Sequence, residues 1–173
     1  MRFTFDTNIL VYAVDKDAGE RHRVALGLVR QARGRDCVIT LQALAEFFNT
    51  LVNKRKIPPT RVMEVIQAWR DAATIVAADE SCLVDAMTAV ADHGFPFWDA
   101  MIWATAKRAG CRVLISEDGQ NERTFGGVTI VNPFVSAPSP LLAEALGIAG
   151  PGALPSVGAN EEIRGGHGSV NPP

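Results

Sequence analysis

The sequence predicts an α/β fold, a three-layer sandwich with a mostly parallel central sheet flanked by helices. Three observations predict it. Short β-branched apolar runs such as C-V-I-T and V-T-I-V recur along the chain. Helix-patterned stretches of about 10–15 residues separate them, the spacing of βαβ units. Strong punctuation, Pro58-Pro59 and Gly110 above all, divides one element from the next.

Taken in order, residues 2–5 form a first strand that alternates Phe3 and Phe5 and ends abruptly in Asp6-Thr7-Asn8. Glu20–Gln31 is helix-patterned and ends near Gly34, and Cys37–Thr40 is a short strand. A helix is expected over residues 41–53. After Pro58-Pro59, Thr60 stands as the N-cap of a helix over 61–72, with Glu64 close to the capping-box position. Residues 74–77 form a third strand. Asp79 or Ser81 starts a helix to about Asp92, which His93-Gly94 and Pro96 stop. Residues 99–109 form a helix closed by Gly110. Strands over 113–116 and Val128–Val131 complete the sheet.

Beyond Pro133 the composition changes. The chain is expected to divide into a folded domain over residues 1–136 and a Pro/Gly-rich extension over 137–173. Within the extension, residues 136–140 are a Pro/Ser linker and 141–146 a short helix. The last ~25 residues are expected to be disordered and without catalytic content.

At 47% hydrophobic and 21% charged residues the composition is that of an ordinary globular protein. No apolar run approaches the ~18 residues of a membrane span. Residues 1–14 are too short, and too interrupted by Asp6 and Asn8, for a secretory signal, so a cytoplasmic location is expected. Cys37, Cys82 and Cys111 are odd in number and widely spaced, which fits buried apolar residues better than a disulfide framework or a zinc site. The net charge of −2 does not mark a nucleic-acid binder. Residues 1–136 hold 16 Lys+Arg and 16 Asp+Glu, so a basic surface there can arise only from local clusters. Two exist: the arginines between Arg21 and Arg35, and Lys54-Arg55-Lys56. Either is also what a solvated helix face looks like.

Four carboxylates stand out by position. Asp6 follows the first strand and Asp118 follows the fourth, and parallel sheets bind ligands at the carboxyl ends of their strands. Glu46 falls on the polar face of its helix with Gln42, Asn49 and Asn53, opposite Leu44, Phe48, Leu51 and Val52. That face suits solvent or a cleft equally. Asp99 opens a helix after F-P-F-W; an aspartate there is commonly an N-cap. Asp118 before Gly119 also suits an ordinary turn. Together, however, the four acids would gather at one sheet edge. Their mutual repulsion would raise their pKa values, and a hard divalent cation would relieve it. Oxygen donors without His or Cys point to Mg²⁺ or Mn²⁺ and to phosphate chemistry.

At this point the sequence resembles the PIN-domain family, specifically the VapC-type ribonuclease toxins. The matching segments are F-D-T-N-I-L, A-E-F-F-N, W-D-A-M-I-W and L-I-S-E-D followed by G-V-T-I-V-N-P-F, in order over about residues 1–135. The resemblance implies a PIN-like fold and metal-dependent hydrolysis of RNA phosphodiesters by the toxin of a toxin–antitoxin pair. It implies Asp6 and Asp99 as metal ligands, Glu46 as a ligand directly or through water, and Asp118 as the fourth acid. Thr7 or Asn8 would orient Asp6, and Ser116 would support Asp118. A homodimer and a cognate antitoxin are the implied partners, RNA the substrate.

The chain departs from the family after Asp118, where Gly119-Gln120-Asn121-Glu122-Arg123 replaces a more apolar run. The inward acid is therefore open between Glu117 and Asp118, with Asp118 expected. Lys54, Arg55 and Lys56 are candidate RNA contacts, as are the arginines from Arg21 to Arg35. Phe97 and Trp98 are expected in the core, with base stacking as the alternative. Two rival functions are a PIN fold that only binds RNA or protein, and an aspartyl-phosphate phosphatase. The latter needs an acid where Asn8 stands.

Overall fold

Residues 1–137 and 139–148 are described by the computed structural model, and they build one six-stranded sheet. The elements are β1 (Phe3–Phe5), α1 (Thr7–Val14), α2 (Glu20–Gln31), β2 (Cys37–Thr40), α3 (Leu41–Asn49), α4 (Pro59–Ala72), β3 (Thr74–Val76), α5 (Glu80–His93), α6 (Phe97–Arg108), β4 (Val113–Ile115), β5 (Thr124–Phe125), β6 (Val128–Val131) and α7 (Pro140–Leu146). A 3₁₀ turn, Lys16–Ala18, joins α1 to α2, and a π-helical turn, Thr50–Lys54, extends α3.

The strand order is β3-β2-β1-β4-β6-β5. Every neighbouring pair is parallel except β5 with β6. All residues of β1, β2, β4 and β6 are buried, as strands covered by helices on both faces must be. Phe3, Phe5, Ile9, Leu10, Leu28, Phe47, Ile102 and Ile115 make the centre of that core. Cys37 and Cys82 are buried in it and Cys111 in a smaller cluster with Val38 and Ala106, all three free and packed as small apolar residues. Among the described residues no helix is long and apolar enough to cross a membrane.

The topology positions the site. From β1 the chain winds outward through β2 to β3, then returns to the other side of β1 to lay down β4. At the β1/β4 junction the connections leave in opposite directions, which opens a crevice at the carboxyl edge. The register pairs Phe5 with Ile115, so Asp6 and Ser116 emerge side by side at that crevice.

Several elements differ from the sequence reading. Helix α1 starts immediately after β1, where only a strand end was expected: Asp6 is extended (φ −74°, ψ 160°) and its side chain accepts from Thr7 N–H. One residue thus ends a strand and caps a helix. Helix α4 begins at Pro59, not after Thr60, and no side chain caps it. Proline suits a first helical position because its missing N–H would have had no partner there. Glu64 accepts from Arg61 (3.0 Å) instead of closing a capping box. Helix α6 starts at Phe97 behind Pro96, so Asp99 lies inside its first turn and is not its cap. Gly110, at φ +77°, follows that helix as expected. The two-residue strand β5 was not anticipated. Helix α7 buries Leu142 and Leu146 in the main core, which adds part of the 137–173 extension to the folded body. The expected disordered tail lies almost wholly outside the described residues.

Candidate active site

Asp6 is nearly buried, at 6% exposure. Its N–H donates to the Ile115 carbonyl (2.9 Å), continuing the β1–β4 ladder by one bond. Its carboxylate accepts from Thr7 N–H (2.6 Å) and from the Ser116 hydroxyl (2.6 Å). Ser116 in turn accepts from Asp118 N–H (3.0 Å), so one hydroxyl ties the acid after β1 to the acid loop after β4. Asn8 Nδ2, in the first turn of α1, donates to Asp118 Oδ2 (2.9 Å).

Glu46 projects from the polar face of α3, whose other face buries Ala43, Leu44 and Phe47. Thr40 Oγ1 caps that helix by accepting from Ala43 N–H (3.1 Å). Both oxygens of Glu46 are held, by the Thr7 hydroxyl (2.7 Å) and by Gln42 Nε2 (2.7 Å). The polar face lines a cleft. Asp99, in the first turn of α6, enjoys the favourable end of the helix dipole. Among the described residues it accepts no hydrogen bond. Asp6, Glu46, Asp99 and Asp118 line one groove of about 300 Å³ with Thr7, Asn8, Tyr12 and Arg55.

The choice between Glu117 and Asp118 is decided by two side chains far away in sequence. The Tyr12 hydroxyl donates to Glu117 Oε1, and Arg21 Nε donates to Glu117 Oε2 (3.0 Å). Arg21 also lies over the rings of Tyr12 and Phe134, which pack edge to face. Glu117 is thereby engaged on the far side of the loop, and Asp118 is the acid in the groove. Burial and the neighbouring Glu117 push the Tyr12 hydroxyl up to about 12, so it remains a donor across the working pH range. Nothing in the sequence around Glu117 signals Tyr12 or Arg21.

The electrostatics is lopsided. Burial pushes the Asp6 carboxyl up to about 6, against the bonds from Ser116 and Thr7; the charges of Asp99 and Asp118 add to the rise. Asp99 is raised too, by burial first and then by Asp118 and Glu46. Among the described residues no Lys, Arg or His pairs with any of the four acids. Asn8 Oδ1 is a further buried oxygen without a donor. Also among the described residues, no three acidic, His or Cys side chains close into a compact cage. An open ring of oxygens with uncompensated charge fits a hard ion that keeps several waters of its own.

The basic candidates divide. Lys54 lines a groove that continues the acidic one, and Arg55 lines the acidic groove itself while pairing with Asp15 (2.7 Å). Lys56 borders neither groove and takes a left-handed backbone (φ +58°) after the π turn. Arg30, Arg33 and Arg35 come at the end of α2, where the chain returns to the amino end of β2, across the sheet from the acids. Arg21 is committed to Glu117. Phe97 and Trp98 are not in the core: they are 38% and 62% exposed. The core expectation fails because α6 starts two residues early, which leaves both rings on its exposed first turn.

A model of the PIN domain matches residues 3–124. The chain belongs to the PIN-domain family. Solved structures sharing this PIN fold include VapC20 from Mycobacterium tuberculosis, described as a sarcin-ricin loop cleaving toxin. It is 19% identical, covering 65% of this chain and 86% of that one, with a TM-score of 0.53. A toxin–antitoxin complex from Klebsiella pneumoniae is 21% identical over 76% of this chain and 97% of that one (TM-score 0.54). DNA-bound VapBC from Salmonella typhimurium is 18% identical over 75% and 96% (TM-score 0.53). At such identities the likeness is one of fold. No protein with a curated description matches significantly.

Proposed function

We propose that this PIN domain is a metal-dependent endoribonuclease and the toxin of a toxin–antitoxin pair. One observation carries the reading: four carboxylates line a single groove without a cationic partner among the described residues. Such a groove costs the free protein stability and repels a phosphodiester unless a cation enters it. Asp6 and Asp99 would hold Mg²⁺ or Mn²⁺, with Glu46 and Asp118 completing the oxygen set. The bound ion would neutralise charge on the scissile phosphate and make a water more acidic.

The chain's own residues do the rest. Ser116 and the Thr7 N–H fix the Asp6 carboxylate, so its free lone pairs keep one direction. Thr7 and Gln42 do the same for Glu46. Asn8 holds one oxygen of Asp118, leaving the other to accept a proton from the attacking water. Lys54 and Arg55, adjacent after α3, would bind phosphates of the strand on that side of the acids.

The partners follow the same reading. A protein antitoxin would occlude the groove, in keeping with the toxin–antitoxin complexes that share the fold. Self-association would bury the exposed row Leu83, Val84, Met87 and Val90 along α5.

The test is cleavage of total RNA by antitoxin-free protein in Mg²⁺, Mn²⁺ or excess EDTA, with Asp6→Asn and Asp99→Asn alongside. Metal-dependent cleavage that falls by about 10²-fold or more in both variants is expected. Cleavage indifferent to both substitutions would refute the assigned site. Protein that binds no Mn²⁺ calorimetrically and cleaves nothing would be a binding module.

A further inference from the structure

The acidic groove does not end at Glu46. Through Thr7, Glu46 and Thr50 it continues along α3 into a second groove of about 630 Å³, lined also by Gln42, Ala45, Asn49, Lys54 and Trp98. That volume is within the ~300–1,000 Å³ of ordinary ligand sites. We infer that this second groove is a nucleotide subsite, in which Trp98 stacks on an unpaired base next to the scissile phosphate. The inference rests on the nuclease reading and adds to it a base-binding position beside the acids.

Several features lead there. Trp98 is 62% exposed at the groove, although a solvated indole is costly without a use. Its position is nevertheless fixed: Gln42 Nε2 donates to its carbonyl (3.0 Å), and Phe97 packs against its ring at 5.1 Å and 67°. The same Gln42 amide donates to Glu46, so the stacking residue and a groove acid share one anchor. Rigid aromatic faces are what proteins offer to splayed bases.

The groove floor offers hydrogen bonds of both senses. Asn49 Oδ1 is engaged by Asn53 Nδ2 (2.6 Å), which leaves the Asn49 amide N–H₂ as a donor. Gln42 gives its amide protons to Glu46 and Trp98, which leaves its carbonyl oxygen as an acceptor. The acceptor and the donor lie two helical turns apart, about 10 Å along α3, so each would meet a different group of an extended strand. Lys54 stands at the far end and forms no ion pair among the described residues, unlike its neighbour Arg55. A free cation, an aromatic plane and amide groups in line with a phosphate-cleaving site make a track for a strand. A protein helix would leave Lys54 and the amides to find partners of their own.

The test is binding of a fluorescein-labelled single-stranded RNA oligonucleotide in Ca²⁺, a hard cation that offsets the charge of the acids, read by anisotropy before a parallel gel shows any cleavage. Trp98→Ala is expected to weaken binding by roughly 5- to 100-fold, with Trp98→Phe retaining most of the affinity. Lys54→Ala should lower the slope of log K against log salt by about 0.7. Oligonucleotides carrying one abasic position at a time should include one that wild type and Trp98→Ala bind equally. Circular dichroism melts of each variant check that the fold is kept. Unchanged affinity in Trp98→Ala and Asn49→Asp overturns the subsite, and cleavage by wild type would then leave the nuclease reading standing. Loss of self-association in Trp98→Ala with RNA affinity intact overturns it in favour of a protein surface. A wild-type protein that binds no single strand overturns it whatever the cleavage assay gives.

Discussion

The two edges of the sheet handle charge in opposite ways. At the amino edge, Arg2 donates to Asp36 (2.9 Å) and to the Ala109 carbonyl (2.9 Å), with both ionic partners about half exposed. At the carboxyl edge, four acids meet without a counter-ion among the described residues, and Asp6 and Asp99 are raised from the ordinary aspartate value by burial and by neighbouring acids. One edge follows the ordinary rule that charges are solvated or paired; the other breaks it at the place where the topology opens a crevice. Stability given up locally, inside a well-packed fold, is the mark of a site selected for what binds there.

Breaking the acidic cluster should have the largest effect. Folded Asp6 takes up its proton near pH 6, an unfolded aspartate near 3.8. Between those values the folded state binds more protons, so Asp6 withdraws stability as pH rises from about 4 through 6. Asp6→Asn is therefore expected to melt higher than wild type in EDTA at pH 7.5, by on the order of 2 kcal/mol, or roughly 5 °C. The difference should shrink towards pH 4, and millimolar Mn²⁺ should narrow it at neutral pH by stabilising wild type alone. A gap independent of pH would mean that the carboxyl edge is not strained.

Loosening the loop that presents Asp118 should matter less. Tyr12→Phe removes one donor from Glu117 and leaves Arg21 in place. About 1 kcal/mol of ordering is lost, and RNA cleavage should fall several-fold with metal affinity little changed. An unaltered cleavage rate would show that Arg21 suffices. The smallest effect belongs to the amino edge: Arg2→Ala should cost less than about 1 kcal/mol in thermal unfolding and leave cleavage alone. A larger loss would place the carbonyl bond to Ala109, and not the ion pair, in control.

Much of this contrast was legible in the sequence. Parallel strands and their helices followed from periodicity and breakers, and the acids stood out because Asp6 and Asp118 follow apolar strands. Other features were written in no local pattern. Asp6 ends β1 and caps α1 at once, and the strand end masked the helix behind it. β5 is two residues of an edge hairpin, too short for alternation to show. Phe97 and Trp98 read as core by composition, whereas burial depends on where α6 begins. The turning of Glu117 away from the groove depends on Tyr12 and Arg21, 105 and 96 residues distant in the chain.

Ser116 illustrates how narrow such a position becomes. On a single atom, 2% exposed as a residue, it accepts a hydrogen bond from the Asp118 amide and donates one to Asp6. Alanine would do neither, and asparagine would split giving and taking between two atoms and reach too far. Only serine and threonine carry an oxygen with both roles at that distance from the backbone, the cysteine sulfur being weak in each. The grammar of the two strand ends thus meets in one word with a single synonym.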